Sequence, residues 1–434
     1  KNKIPYTLDE NWKWYKWGDI IEDYQQGLIR SNSELNDDYS IEYFKMNFIN
    51  ENGDYSFKGL PKTEASQDEI LRYKIKEGDF FINVRNSREL VGKTCAIYSV
   101  LRDIVFNHML VRIKHKNYIT GTFMSAYFNT KFGKQILETC KKGTTTVIAL
   151  YQKDLYNLPI PIPNEKLLKK IDKVYNDINK KIQLLHQIND NLAELAKTIY
   201  DYWFVQFDFP DENGKPYKSS GGKMVYNEVL KREIPEGWEV KRIGEFIDLE
   251  RGVTYTKENI SEKSFQNIGV LRATNISGNK IDLNNLVYIS NKLKDSQILK
   301  QFDTLIVMSS GSKEHIGKNG IYYFSEQNAF GAFCAKIRAK EKMVFEFINV
   351  FLQSESFKIY IKNQCLGTNI NNLNNTHILL CPILKPADNI LELYHYNTKN
   401  IFQKIAYNTQ QIQHLQSLRD WLLPMLMNGQ ISVE

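Results

Sequence analysis

The sequence predicts an α/β protein: two similar mixed α/β modules joined by two long antiparallel helices that form a coiled coil. Three observations carry this. NWKWYKWGDII (11–21) returns as GWEVKRIGEFI (237–247), with Trp12 to Trp238 and Gly18 to Gly244 both offset by 226 residues. Self-similarity at a fixed period marks a duplicated module. Within each copy, runs such as DFFINV (79–84) and DTLIVM (303–308) are rich in β-branched and aromatic residues, lie between Gly, Asn and Asp turns, and read as strands. After each copy the apolar period changes to that of a helix.

The register of the repeat persists along both copies. YFKMNFI (43–49) matches VLRATNI (270–276), KEGDFFINVRNSRELVGK (76–93) matches KQFDTLIVMSSGSKEHIGK (300–318), and CKKGTTTVIAL (140–150) matches CLGTNINNL (365–373). The offset drifts to about 223, as small loop insertions and deletions produce in modules that share a fold and not a ligand. TFMSAYFNTKFGKQIL (122–137) and EFINVFLQSESFKIYI (346–361) read as helices.

With Ile171 as heptad position a, the first long helix carries Ile171, Ile178, Leu185, Leu192 and Ile199 at a, and Val174, Lys181, Ile188 and Leu195 at d. The second presents Ile401, Ile405, Ile412, Leu415, Leu418 and Leu422 on one face, with polar Asn408 and Gln411 intruding. Each helix begins at its own module, so the pair can span between modules only if it runs antiparallel. The expected divisions are a first module at 1–157, a first long helix at 158–207, a linker at 208–233, a second module at 234–386, and a second long helix with a tail at 387–434.

Of the 434 residues, 42% are hydrophobic and 12% aromatic, enough for real cores. A net charge of +7 is modest and suits local basic patches for a polyanion. Five cysteines, Cys95, Cys140, Cys334, Cys365 and Cys381, form no CxxC or Cys/His cluster, and no signal peptide or long apolar run is present. These features predict a reduced cytoplasmic protein with no structural zinc and no membrane contact. Because the chain starts at Lys1, an initiator and a short leader are expected ahead of it.

Gly92-Lys93-Thr94 looks like the tail of a phosphate-binding loop. The required earlier glycine is Ser87, and the second copy puts Asn319 where a magnesium-binding Ser or Thr belongs. Both segments read instead as strand-loop-strand elements. Trp12, Trp14 and Trp17 could stack on bases, but the repeat keeps only Trp12 and Trp238, which favours core packing. His108 and His315 lack the neighbours of metal ligands. In PDENGK (210–215) the acids and lysine sit in one turn-rich stretch, unlike a nuclease site displayed from separate strands. No Asn/Asp-Pro-Pro-aromatic loop for an amino-methyltransferase occurs.

Residues 158–245 are the most specific. They contain Leu-Pro-Ile-Pro (158–161), Trp203-Phe204-Val205, Phe207-Asp208, GKPYKSSGGKM (214–224) and IPEGWEV (234–240) in order, and the chain ends with NGQISV (428–433). In these motifs the sequence resembles the specificity subunit of a type I restriction-modification system. The resemblance implies a non-catalytic DNA-binding subunit with two target-recognition domains, each reading one half of a split site on double-stranded DNA. It implies partners too: two modification (methyltransferase) subunits carried by the helices, and restriction (motor-nuclease) subunits added to them. S-adenosylmethionine, ATP and magnesium would belong to those partners, with no cofactor bound by this chain. A helix of about 38 residues spans roughly 57 Å, enough to hold two modules a DNA turn of about 34 to 36 Å apart.

Under that reading the loops carry the candidate DNA contacts. Arg85, Asn86, Arg88 and Lys93 stand in the first copy, and Ser309, Ser310, Lys313 and Lys318 in the second. Lysine meets phosphate as a point charge, while Arg and Asn can bond a base edge in two places. Lys45 and Asn47, with Arg272, Thr274 and Asn275 in the repeat, are further candidates at strand ends. KKGTTT (141–146) and GTNINN (367–372) add Lys141, Lys142 and Thr144, and Thr368 and Asn369. A stand-alone nucleotide-dependent enzyme or nuclease, and a coiled-coil scaffold that binds no DNA, remain the alternatives.

Overall fold

A computed structural model of the chain describes residues 10–143, 147–264, 266–290, 293–366 and 372–427. It forms two compact units, residues 1–185 with 413–434, and residues 186–412, so the division falls within the two long helices.

In the first unit a four-stranded antiparallel sheet has the order Ile21–Gln26, Leu110–His115, Phe80–Asn83, Thr94–Ala96. A second sheet places Ile41–Phe44 between Lys62–Thr63 and, in parallel, Ile104–Phe106. Trp12–Lys16 pairs with Pro159–Pro163 and ties the start of the module to the strand that leads into the long helix. The second unit repeats the plan. Its sheet runs Ile247–Arg251, Cys334–Ala339, Thr304–Val307, Asn319–Ile321, a second sheet pairs Ile268–Leu271 in parallel with Ala329–Phe330, and Glu239–Arg242 pairs with Pro382–Lys385. The duplication read from sequence is therefore a duplication of topology.

The copies also share internal devices. Asp79 accepts from the Lys76 N–H at 2.8 Å and pairs with Arg112 at 3.1 Å; Asp303 accepts from the Lys300 N–H at 2.7 Å and pairs with Arg338 at 2.6 Å. Trp12 and Trp238 are buried, as core packing requires, and Trp17 donates from Nε1 to His115 Nε2 at 3.0 Å.

Each predicted module helix is in fact two. Gly121–Asn129 ends at Thr130, which caps Lys131–Glu138 by accepting from the Gly133 N–H at 2.9 Å; Phe345–Gln353 ends at Ser354, with Glu355–Leu366 following. A Ser or Thr hydroxyl satisfies the free N–H groups of a new first turn better than it continues an old helix.

The long helices are Glu165–Tyr200 and Asp388–Met427, and they run antiparallel. Asn189 faces Asn408 (Asn408 Nδ2 to Asn189 Oδ1, 2.8 Å), and Asn179 faces Arg419 (Arg419 Nη1 to Asn179 Oδ1, 2.9 Å). On the first helix Ile171 and Leu185 are buried and Ile178, Leu192 and Ile199 half-buried. The second buried row is Tyr175, Ile182 and Ala196, four residues after Ile171, Ile178 and Leu192, with Leu168 one heptad before Tyr175; Val174 and Ile188 are half-buried, while Lys181 and Leu195 are exposed. The helix faces this way because it must also close its module. Leu168, Ile171 and Tyr175 join the core of the first unit together with Leu423, Leu426 and Met427, and Ala196 and Tyr200 join that of the second with Ile390, Leu391 and Tyr394. On the second helix Ile401, Ile405 and Ile412 are buried, Leu415 and Leu422 half-buried, and Leu418 is exposed; polar Thr398, Asn408 and Arg419 are fully enclosed.

Candidate nucleic-acid interface

Three chain segments meet at one end of the four-stranded sheet of the first unit. Arg85–Asn86 follows the strand Phe80–Asn83 and pairs with Ile148–Leu150; the turn 107–109 precedes the strand Leu110–His115. The Val84 N–H donates to Met109 O at 3.0 Å, fixing the two turns together. Between them opens a cleft of about 380 Å3 lined by Arg85, Asn86, Ser87, His108, Met109 and Val147. Arg85 is exposed. Asn86 is half-buried, its Oδ1 accepting from the Ser87 N–H at 2.7 Å. His108 Nδ1 is buried without a hydrogen-bond partner among the described residues. Burial, and then the nearby Arg85 charge, pull the His108 pKa below its ordinary value, so near neutral pH the ring is uncharged.

The other candidates of the first unit are more engaged. Arg88 meets Glu138 at 2.6 Å, Lys141 meets the same carboxylate at 2.7 Å and also donates to Arg88 O at 2.9 Å, and Lys142 holds Asp154 at 2.7 Å. The hydrogen bonds from Lys141 and then Arg88 keep the Glu138 carboxyl below its usual range. Lys45 donates to Asn32 Oδ1 at 3.2 Å, Asn47 is exposed, and Lys93 is half-buried.

The Gly-Lys pairs have a structural explanation. Gly92 and Gly317 adopt φ of +86° and +78°, a region that glycine enters at no steric cost. Their N–H groups donate to Asn83 O at 2.8 Å and Val307 O at 2.9 Å, so these amides are not displayed to a phosphate. Asp211, in the turn-rich stretch with the acids and lysine, accepts from the N–H groups of Asn213 and Lys215 at 2.8 Å and shapes a turn.

In the second unit Arg272 is exposed and donates to Asn285 O at 3.0 Å, and Thr274 is exposed. Asn275 is buried, donating to Asp282 O at 3.0 Å and Asn284 O at 2.8 Å, and so acts as a brace of its loop. Ser309 bridges to Asn372, Ser310 Oγ accepts from the Ser312 N–H at 3.3 Å, and Lys318 Nζ lies 2.9 Å from His315 Nδ1. Thr144, Thr368, Asn369 and the closing NGQISV lie outside the described residues, as does the side chain of Lys313, which opens the turn Lys313–His315.

Sequence reasoning missed Arg72, Lys76 and Lys114, which are exposed and have no ion pair among the described residues, and His108, which it treated as solvated or packed. Cations that far apart in sequence leave no local signal. Among the described residues no cluster suited to a metal ion occurs, and no helix is long and apolar enough to cross a membrane.

The module is repeated on one scaffold with unlike surface loops, and each copy leads into one helix of an antiparallel pair. Residues 9–194 match the family model described as the type I restriction modification DNA specificity domain. The chain is 26% identical over 327 residues, 74% of its length and 71% of the relative's, to the type I restriction enzyme MjaIX specificity subunit of Methanocaldococcus jannaschii. It is 38% identical over 144 residues, 32% of its length and 31% of the relative's, to the EcoKI specificity subunit of Escherichia coli strain K12. Its fold resembles that of the S subunit of a type I restriction-modification system from M. genitalium, with a TM-score of 0.50 and 13% identity over 97% of each chain. The chain is thus similar, in its first half to the family model and over most of its length to named relatives, to specificity subunits of type I restriction-modification systems.

Proposed function

We propose that the chain reads a bipartite, asymmetric DNA site, one half with each recognition module (1–157 and 234–386), while the two long helices set the spacer and carry two modification subunits. Restriction subunits join that assembly, and S-adenosylmethionine, ATP and magnesium act in the partners. The observation that carries this reading is the pairing of one topology with unlike loops: Arg85 and Asn86 follow the third strand of one sheet, Ser309 and Ser310 the equivalent strand of the other. Equal scaffolds with unequal side chains present different donors and acceptors to base edges, which is how different half-sites are told apart. Exposed cations of the modules supply phosphate contacts, so binding weakens steeply as salt rises.

The test is a module exchange. Residues 1–157 are replaced by the first module of a relative, and bound sites are selected from random duplex DNA by the chain assembled with modification subunits. One half of the selected sequence should change and the other should stay. A change in both halves, or in neither, refutes independent reading by the modules.

A further inference from the structure

Beside the cleft, the first unit carries an open polar groove of about 790 Å3. Its floor is the end of the strand Ile21–Gln26 and the turn that follows. One wall is the end of the helix Gln67–Tyr73, and the other is the strand Leu110–His115.

The cations of the groove divide into two kinds. Arg30 is held by Glu69 at 2.9 Å. Arg112 is buried and spent on Asp79 at 3.1 Å, on Lys74 O at 2.8 Å, on Arg72 O at 3.0 Å and on Gln25. These two build the groove. Arg72, Lys76 and Lys114 are exposed, line it, and have no ion pair among the described residues; Asp23 is the acid that lines it with them. In the loops the sequence singled out, by contrast, Arg88, Lys141 and Lys142 already have carboxylate partners. The groove therefore gathers three exposed, unpaired cations on one surface of the first unit.

The groove and the cleft adjoin. Gln26 lines the groove and donates from Nε2 to the carbonyl of His108, which lines the cleft, at 2.8 Å. The next residue must be glycine for this approach, because a Cβ on Gly27 would lie 2.4 Å from the carbonyl oxygens of Phe106 and Asn107. A row of uncompensated cations thus leads to an amide, Asn86, and to an imidazole nitrogen, His108 Nδ1, that is buried and unpaired. Buried polar atoms are almost always satisfied, so an unpaired nitrogen on a residue that lines the cleft calls for a partner. Cations followed by short hydrogen-bonding groups match duplex DNA, which presents phosphates outside and base edges within.

We propose that the first half-site enters along this groove, with phosphates on Arg72, Lys76 and Lys114, and that its base edges are read by Asn86 and His108 beyond Gln26. This rests on the DNA-reading function proposed above and names the surface that performs it.

The probe is random duplex DNA, offered to the full chain assembled with modification subunits, followed by a salt series on the selected site. Lys76→Ala and Lys114→Ala should each lower the slope of log affinity against log salt by about one unit and leave the selected sequence unchanged. Asn86→Ala with His108→Ala should leave the salt slope intact and abolish preference at one or more base pairs in one half-site. Lys76 and Lys114 are exposed, so folding of their variants is secure even where the cleft variant proves unstable. A parental slope in the Lys76→Ala/Lys114→Ala double variant overturns the groove, and parental preference in both half-sites of a folded cleft variant overturns the reading by Asn86 and His108. If the parent complex itself selects no sequence, it is the proposed function that falls.

Discussion

Replacing Arg419 by Met should cost the first unit about 3 to 5 kcal/mol, the range for breaking a buried ion pair by removing one partner. Arg419 lies near the end of the second long helix and is 2% exposed; Asp54, in a loop of the module, is 8% exposed, and Asn179, on the first long helix, 3%. The guanidinium donates to both Asp54 oxygens and, at 2.9 Å, to Asn179 Oδ1. Asn50 and Gln416 complete the shell around the carboxylate at 3.3 and 3.2 Å. Met fills a similar volume and leaves the Asp54 carboxylate enclosed without its counter-charge. At about 2 to 4 °C per kcal/mol for a unit of this size, the melting temperature of the unit should fall by about 6 to 20 °C. Hydrogen exchange resolves the effect by region: amides of Phe80–Asn83 and Leu110–His115 should lose protection while those of Thr304–Val307 keep it. Asp54→Asn alone should also destabilise. The double variant should lose less than the sum of the two by about 2 kcal/mol, within the coupling range of contacting residues. Additive losses, or an Arg419→Met cost under about 1 kcal/mol, would show that the cluster does not hold the helix end to the module.

Burial pushes the pKa of His115 down to about 3. The unfolded chain, with a value near 6.5, takes up a proton that the folded state refuses, so stability is complete above about pH 6.5 and falls as the pH drops towards 3. At pH 5 the loss should be about 2 kcal/mol relative to pH 7, and His115→Gln should remove that part of it; equal pH dependence of parent and variant in urea unfolding refutes the argument. Leu195→Asn and Leu418→Asn, at exposed positions, should change stability by less than about 0.5 kcal/mol, whereas Ile182→Ala, in the buried row, should cost about 2 to 5 kcal/mol, and the reverse order in thermal melts would overturn the assigned helix faces. Seven residues inserted after Asn189, with seven more at the level of Asn408, keep the heptad and lengthen each helix by about 10.5 Å. At about 3.4 Å per base step the preferred spacer should grow by roughly three base pairs, with both half-site sequences unchanged, and site selection that returns the parental spacer refutes spacer-setting by the helices.

What was legible in the sequence is what local pattern controls. The repeat, the strands DFFINV and DTLIVM and the two long helices follow from periodicity and turn residues, which act over a few neighbouring positions. The break at Thr130 and Ser354 was missed, although a hydroxyl residue inside an apolar helical run is a capping signal; continuous amphipathicity on both sides hid it. The helix face was not legible. A row three residues after Ile171 and a row four residues after it lie on either side of the same stripe, and the choice is made by the module core, which takes up Tyr175 and Ala196 and leaves Lys181 and Leu195 outside.

The interface was the least legible part, for an electrostatic reason. A sequence displays every cation alike, but the fold decides which of them are already neutralised. Lys141 and Arg88 look like free basic residues beside a glycine turn until helix Lys131–Glu138 brings Glu138 between them. Arg419 looks like a solvent-facing charge on an amphipathic helix until Asp54, 365 residues away, closes on it. Arg72, Lys76 and Lys114 look scattered until the order of the strands sets them around one groove. A polyanion gains most from cations that give up no existing partner to bind it, because breaking an ion pair offsets much of the new contact. The phosphate-binding surface proposed for the chain is therefore a matter of its unpaired charge, and unpaired charge can be counted only after the sheets have been assembled.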